Sequence, residues 1–165
     1  MTTVWVSDDK IRHVLAALTP ANQLACEISL ATGLRIGDVL AIRSDQLRKS
    51  GGRFTIREEK TGKSRKVRLP AALLDRALKA AGRYWLFEGR CDVKQHRTRQ
   101  AVYKDLKRAA RTFRLSKHVS QHSLRKIYAV EQYKKSGCNL KKVQQLLNHS
   151  DEAVTMIYAL ADRLT

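Results

Sequence analysis

The sequence predicts a mainly α-helical fold with a small antiparallel β-sheet, an architecture of the α+β class. Apolar residues recur at intervals of three and four over most of the chain, which is the period of amphipathic helices. Alternation with a period of two is confined to one stretch, residues 54–69. With 165 residues, 43% of them hydrophobic, the chain is sufficient for one domain with a core, and no internal domain boundary is visible.

Helices are expected in the first part of the chain. Ser7 can cap a helix that runs to about Leu18. A second helix is expected over residues 21–32, where Gly33 is placed to end it. A short helix should follow over residues 36–42.

A β-hairpin is expected next. Phe54 and Ile56 alternate with polar residues, and so do Val67 and Leu69. Between the two runs lies Lys-Thr-Gly-Lys at residues 60–63. The pattern indicates two strands joined by a basic tip that contains a glycine.

The remainder of the chain is predicted to be helical, apart from residues 84–87, which are a candidate for a short third strand. Helical spacing is seen over residues 71–81 and in a basic stretch, residues 97–114. Further helices are expected near residues 122–135, 140–147 and 151–162.

The charge of the chain indicates its class of partner. There are 33 Lys and Arg against 15 Asp and Glu, a net charge of +18, which is typical of a nucleic-acid binder. Binding should therefore weaken steeply with salt.

A membrane surface is disfavoured, because no segment pairs a basic face with an aromatic one. No secretion signal is visible, so the cytoplasm is the expected location. The cysteines are three and widely spaced, which favours neither a zinc site nor a disulfide framework.

A glycine, an arginine and an aspartate stand close together at the end of the second predicted helix. Arg35 follows two residues after Gly33, and Asp38 stands three residues beyond Arg35. This spacing lets the carboxylate hold a neighbouring guanidinium in one orientation. Taken alone, the arrangement is more often an ordinary surface arginine.

Two further stretches carry polar side chains at helix boundaries. His122 and Arg125 share one face of a helix start, and an imidazole with an arginine fork suits a phosphate. Asn148 fits the left-handed position that closes a helix. His149 follows it, and Tyr158 comes nine residues after His149. By itself Tyr158 is more readily interpreted as a core tyrosine.

In combination and in this order, the stretches closely resemble the catalytic domain of the tyrosine recombinase, or phage integrase, family. That domain carries an Arg in T-G-x-R-x-x-[DE], a Lys on a β-hairpin, H-x-x-R, and L-G-H followed nine residues on by Tyr. The resemblance extends from about Ser7 to Tyr158. The matching positions are Arg35, Lys60, His122, Arg125, His149 and Tyr158.

The resemblance implies a site-specific recombinase that cuts and rejoins DNA through a covalent 3′-phosphotyrosyl bond. Tyr158 would be the nucleophile. Cations would stabilise the charge that gathers on the non-bridging oxygens, a role that falls to Arg35, Arg125 and His149.

Proton transfers are assigned by the same resemblance. His122 is the candidate base, and Lys60 is the candidate acid for the leaving 5′ oxygen. Lys63 is the local rival of Lys60. The chain departs from the family pattern at Ser123, where Asp or Glu is frequent, and at Asn148, which replaces Gly.

The resemblance implies no cofactor and no metal, because the cationic side chains occupy the place that a metal would take. Its implied partners are double-stranded DNA and further recombinase protomers, forming a tetramer in the synapse, with a monomer expected in the absence of DNA. We expect one catalytic domain over residues 1–165 and no N-terminal core-binding domain. The candidate DNA contacts are Lys63, Arg97, Arg99, Lys104 and Arg108.

Three other functions remain open at this point. A type IB topoisomerase shares the chemistry but relaxes supercoils without exchanging partners. A catalytically silent DNA-binding module would not use the predicted site. A basic ribosomal or RNA-binding protein would not require Tyr158.

Overall fold

A computed structural model describes residues 8–115 and 119–148, and it confirms a mainly helical fold with a two-stranded antiparallel sheet. The predicted helix over residues 151–162, the Ser7 cap, His149 and Tyr158 lie outside the described residues. Within the described ranges, no helix is both long and apolar enough to cross a membrane. The elements are α1 (Asp8–Ala16), α2 (Pro20–Thr32), α3 (Ile36–Leu40), α4 (Ser44–Ser50), β1 (Arg53–Arg57), β2 (Ser64–Arg68), α5 (Ala71–Ala80), α6 (Arg99–Thr112), α7 (Gln121–Lys135) and α8 (Leu140–Leu147).

Helix α2 is the centre of the core. It contacts α1, α3, α5, α6 and α7, and its residues Leu24, Cys26 and Ile28 are buried. Burial raises the pKa of the Cys26 thiol to about 12, so this cysteine stays a neutral core side chain. The predicted helix over residues 21–32 is confirmed and begins one residue earlier, at Pro20, where a first-turn proline removes no hydrogen bond.

The hairpin forms in the predicted position. Phe54 pairs with Val67 and Ile56 with Arg65, so these side chains share the inner face of the two strands. The turn is closed beyond the last pair by a hydrogen bond from Glu58 N–H to the carbonyl of Lys63, with N and O 2.9 Å apart. The inner face is therefore apolar at its base and charged towards its tip.

The candidate third strand is wrong, and one helix was not predicted. Residues 84–87 form only an isolated bridge, between Arg43 and Trp85. The pairing ends there because Ser44 already begins α4, which leaves almost no extended backbone to pair with. Helix α4 is short, and its local signal is its left-handed end at Gly51, with φ +56°.

Helix α6 is fixed to the start of α2 by one carboxylate. Asp105 Oδ2 accepts hydrogen bonds from the backbone N–H and hydroxyl of Thr19 and from Asn22 Nδ2, at 2.8–2.9 Å. Its Oδ1 accepts from Arg108 at 2.7 Å, and Arg97 donates to Asn22 Oδ1 at 2.7 Å. Burial opposes ionisation, but these hydrogen bonds outweigh it and lower the pKa of Asp105 to about 2.

Gly33 ends α2 in a place where no side chain fits. Its φ is +67°, and its N–H donates to the carbonyl of Ser29. A Cβ built at this position would lie 2.3 Å from Cδ1 of Tyr128 on α7. Glycine is required here both by the left-handed backbone and by the close approach of α7.

We expect Gly33→Ala to destabilise the fold far more than Gly137→Ala. Both glycines have nearly the same φ, +67° and +66°, but among the described residues no atom beyond the chain neighbours lies within 4 Å of the Cβ position at Gly137. The left-handed backbone costs both variants about 1–2 kcal/mol. The clash with Tyr128 should cost Gly33→Ala a further 1–3 kcal/mol or so. Urea unfolding measures both variants, and equal losses would contradict the packing argument.

Candidate active site

One pocket brings together four of the six predicted catalytic residues. Its volume is about 470 Å³, and it lies between the end of α2, the hairpin tip, and the starts of α6 and α7. The other two predicted residues, His149 and Tyr158, are outside the described part of the chain. The lining residues are Arg35, Ile36, Gly37, Asp38, Glu59, Lys60, Arg99, Gln121, His122 and Arg125.

Arg125 connects the three motif stretches. It is only 3% exposed; its Nη1 donates to the carbonyl of Gly33 and its Nη2 to the carbonyl of Leu147, both at 2.5 Å. Leu147 ends α8, and Asn148 follows with φ +55°, which confirms its predicted left-handed position. The guanidinium therefore lines the pocket while holding the ends of α2 and α8 together.

Arg35 is held by a carboxylate that belongs to none of the sequence motifs. Its Nη1 donates to Oε2 of Glu58 at 2.7 Å, and Glu58 is fully buried. The expectation that Asp38 orients the guanidinium is corrected: Oδ1 of Asp38 accepts instead from the backbone N–H of Glu59 at 2.9 Å. That N–H is available because β1 ends at Arg57, so the strand ladder does not use it.

The sequence does carry a signal for Glu58. It continues the period-two alternation of Phe54 and Ile56 by one step, which places a carboxylate on the inner face of the hairpin. A buried carboxylate needs a cation or hydrogen-bond donors. The alternation could therefore have identified Glu58 as a buried carboxylate that needs a cation or hydrogen-bond donors.

Asp38 lines the pocket as a buried carboxyl. Burial raises its pKa, as does the negative charge of Glu58, against the lowering effects of the Glu59 N–H and of Arg35 and Arg125. Its Oδ2 has no hydrogen-bond partner among the described residues. Asp38 therefore holds a proton more readily than an exposed aspartate does.

His122 lies in the first turn of α7, beside the hairpin lysine. Partial burial lowers its pKa, and the positive charges of Lys60, Arg125 and Arg35 lower it further. The imidazole is therefore neutral at pH 7 and able to accept a proton. Ser123, the departure from the family pattern, accepts a hydrogen bond at Oγ from Ser120 N–H and so caps the helix that carries His122.

The hairpin tip presents one of its two lysines to the pocket. Lys60 lines the pocket, whereas Lys63 is not part of the lining. Lys60 is exposed and has no ion pair with any described residue. Its ammonium group is therefore available to a ligand in the pocket.

The candidate DNA contacts fall into two groups. Arg99, the first residue of α6, lines the pocket, and Lys63 and Lys104 are exposed. Arg97 and Arg108 instead donate hydrogen bonds within the network around Asp105. Proximity to the pocket thus distinguishes Arg99 from the other four.

The chain belongs to the phage integrase family, whose model it matches over residues 5–163. It is 33% identical over 146 residues to the tyrosine recombinase XerD of Lacticaseibacillus casei, covering 80% of this chain and 47% of that protein. It is 35% identical over 150 residues to XerD of Rhizobium meliloti (strain 1021), covering 84% and 47%. The chain spans about half the length of these relatives.

Solved structures show the same fold. A crystal structure of XerA recombinase aligns with a TM-score of 0.74 at 22% identity, over 99% of this chain and 62% of that one. A λ integrase fragment in a dimer bound to a core site aligns with a TM-score of 0.77 at 19% identity, over 96% and 60%. The catalytic domain of bacteriophage HP1 integrase aligns with a TM-score of 0.72 at 23% identity, over 97% and 89%.

We expect the pKa of His122 to lie below the ordinary histidine value and to rise in Lys60→Met. Removing the lysine charge makes the imidazolium less unfavourable, so the proton is held to higher pH. NMR titration of the ring, assigned with His122→Gln, measures the change. Lys79→Met, on an exposed lysine paired with Asp75, serves as the control and should leave the pKa unchanged. An unchanged pKa in Lys60→Met would place the lysine away from the imidazole.

Proposed function

We propose that the chain is the catalytic domain of a site-specific DNA recombinase of the integrase type, which breaks and rejoins DNA strands. The observation that carries this is the convergence of Arg35, Lys60, His122 and Arg125 on one pocket in a member of the phage integrase family. The substrate is the phosphodiester of double-stranded DNA, and the nucleophile is Tyr158.

The pocket suits a phosphoryl transfer step. The transition state gathers negative charge on the non-bridging oxygens, and cations already in position stabilise it most effectively. The guanidinium groups of Arg35 and Arg125 supply two such cations, and His149 is proposed as a further donor. Because internal partners fix both arginines, little reorganisation is needed when the phosphate enters.

The proposed reaction replaces the bond from phosphorus to the 5′ oxygen by a bond from phosphorus to tyrosine. The Oη of Tyr158 attacks phosphorus, and its proton passes to the neutral imidazole of His122. The bond from phosphorus to the 5′ oxygen breaks, and Lys60 gives that oxygen its proton. The product is a 3′-phosphotyrosyl bond and a free 5′ hydroxyl, and the reverse reaction reseals a strand. No cofactor or metal is included in this scheme.

Recombination is favoured over the alternatives by the relatives. A type IB topoisomerase would share the chemistry, but the similar proteins are named recombinases and integrases. A catalytically silent DNA-binding module or an RNA-binding protein would not require the predicted catalytic residues to lie together in one pocket. The cytoplasm is the proposed location, because the proposed substrate is chromosomal or mobile DNA.

The proposed assembly is a tetramer on synapsed DNA. The λ integrase structures include a dimer bound to a core site and a tetramer bound to a Holliday junction, which supports protomer contacts on DNA. The monomer without DNA, and the single catalytic domain over residues 1–165, stay predictions. Light scattering after size exclusion tests the first of them.

A covalent adduct with DNA is the first test. We expect the full chain to be trapped on a nicked suicide duplex whose sequence around the nick is randomised, because the short fragment that carries the free 5′ hydroxyl diffuses away and religation is lost. Tyr158→Phe should abolish the adduct on a denaturing gel. Tyr103→Phe, on an exposed tyrosine of α6, should retain it. If wild type forms no adduct, even with a supplied DNA-binding domain, the enzyme proposal fails.

DNA affinity tests the contact proposed for Arg99. Its guanidinium lines the pocket and has no hydrogen-bond partner among the described residues. Arg99→Ala should weaken binding and reduce the slope of log K against log salt by about 0.9, the contribution of one phosphate contact. Lys79→Ala on α5, away from the pocket, is the charge-matched control. Equal slopes for both variants would remove Arg99 from the interface.

A further inference from the structure

A carboxylate is buried at the charged end of the hairpin's inner face. Phe54, Ile56 and Glu58 lie on that face in succession, and Glu58 has no exposed surface. Glu58 stands just beyond the last pair of the ladder, so its backbone belongs to the turn that carries Lys60. Nothing in the family motifs described above requires an acidic residue two positions before the lysine.

The partners of Glu58 come from two parts of the active site. Its Oε2 accepts from Arg35 Nη1 at 2.7 Å and from the hydroxyl of Thr61 at 2.9 Å. Its Oε1 lies 3.8 Å from Nη1 of Arg65. A carboxylate without exposed surface is tolerated only with such partners, and the loss of one partner is costly.

One oxygen atom therefore connects the phosphate-binding arginine to the turn. Thr61 follows Lys60 directly, and the same turn is closed by hydrogen bonds from Glu58 N–H to Lys63 O and from Gly62 N–H to Glu58 O, at 2.9 and 2.8 Å. Fixing Thr61 limits the positions that the Lys60 backbone can adopt. Arg35 and Lys60 act on different oxygens of one phosphate in the proposed reaction, so their separation has to be held constant.

We propose that Glu58 is a positioning residue, which holds Arg35 and the turn of Lys60 in one fixed relation to the scissile phosphate. The inference rests on the proposed function and adds to it a residue that never touches the substrate. It divides the contribution of Glu58 into two parts. The part through Arg35 concerns charge stabilisation, and the part through Thr61 concerns proton donation to the leaving group.

A sulfur-substituted DNA separates the two parts. In this suicide substrate, sulfur replaces the bridging 5′ oxygen, and sulfur leaves without protonation because a thiol has a pKa of only about 8.5. A defect in proton donation is therefore relieved by sulfur, whereas a defect in charge stabilisation remains. Single-turnover cleavage is measured on both substrates, with DNA affinity measured separately.

Three variants of the full chain complete the experiment. Glu58→Gln keeps the shape of the side chain but removes its charge, and Thr61→Val removes only the hydroxyl. Asp105→Asn is the matched control, because Asp105 is also a buried carboxylate paired with an arginine but does not line the pocket. Urea unfolding confirms that each variant is folded under the assay conditions.

We expect Glu58→Gln to slow cleavage of the oxygen substrate by about 10²-fold, the size of effect that a 1 Å misplacement produces. DNA affinity should change little. The sulfur substrate should restore part of the cleavage rate that Glu58→Gln loses. It should restore nearly all of the smaller loss in Thr61→Val. Asp105→Asn should lose stability but cleave both substrates at the wild-type rate.

Other outcomes overturn the inference, and they differ from a failure of the proposed function. If wild type forms an adduct and both Glu58→Gln and Thr61→Val cleave at the wild-type rate, Glu58 positions nothing. If the sulfur substrate restores the cleavage rate of neither variant, Glu58 does not act through the turn of Lys60. If it restores the rate of Glu58→Gln completely, Glu58 does not act through Arg35. If Asp105→Asn slows cleavage as much as Glu58→Gln, the effect is one of stability alone. Absence of an adduct with wild type would instead refute the enzyme proposal.

Discussion

The backbone carbonyls at the end of α2 are the constraint on which the rest of the site depends. Arg125 donates to the carbonyl of Gly33 at 2.5 Å, and Arg65 donates to that of Thr32 at 2.5 Å. The last carbonyls of a helix carry partial negative charge and have no partner within the helix. Gly33 turns the backbone left-handed at this point and leaves room for the ring of Tyr128, so that α7 can bring Arg125 within reach. A helix end thus fixes two cations that come from distant parts of the chain.

Gathering arginines in one place has an electrostatic cost, and the protein offsets it before any ligand binds. Burial lowers the pKa of Arg65, and the nearby charge of Arg35 lowers it too, while Tyr128 and Glu58 act in the opposite direction. Glu58 is the ionic partner of both arginines. The basic residues that line the pocket outnumber the acidic ones, so the pocket remains cationic overall although Arg35 has an internal ionic partner. In the proposed reaction, such a pocket would accept the phosphate without first having to rearrange.

Local signals were enough to predict most of the fold. Helix α2 and the left-handed Asn148 follow from periodicity and from the preference for Asn and Gly at helix ends, and the hairpin follows from its alternation. The motif spacing selected the residues that the pocket gathers. Partnerships across the chain were not accessible in the same way. Asp38 and Glu58 are both close to Arg35 in the fold, and the choice between them depends on which backbone N–H the end of β1 leaves unpaired. The prediction of a third strand was wrong for a related reason, because α4 begins where the pairing would have to continue.

Net charge indicates the class of partner but not the residues that meet it. Of the 33 basic residues, several have already formed bonds inside the protein. Arg48 donates to two carbonyls after α5, and Arg97 and Arg108 donate to Asn22 and Asp105. Redirecting the guanidinium of Arg97 or Arg108 to DNA would leave a part-buried acceptor without its donor, at a cost of about 1–3 kcal/mol. A basic side chain without an internal acceptor meets a phosphate at no such cost. This difference favours Arg99 over Arg97 and Arg108 as a DNA contact, although all three belong to one basic stretch of the sequence.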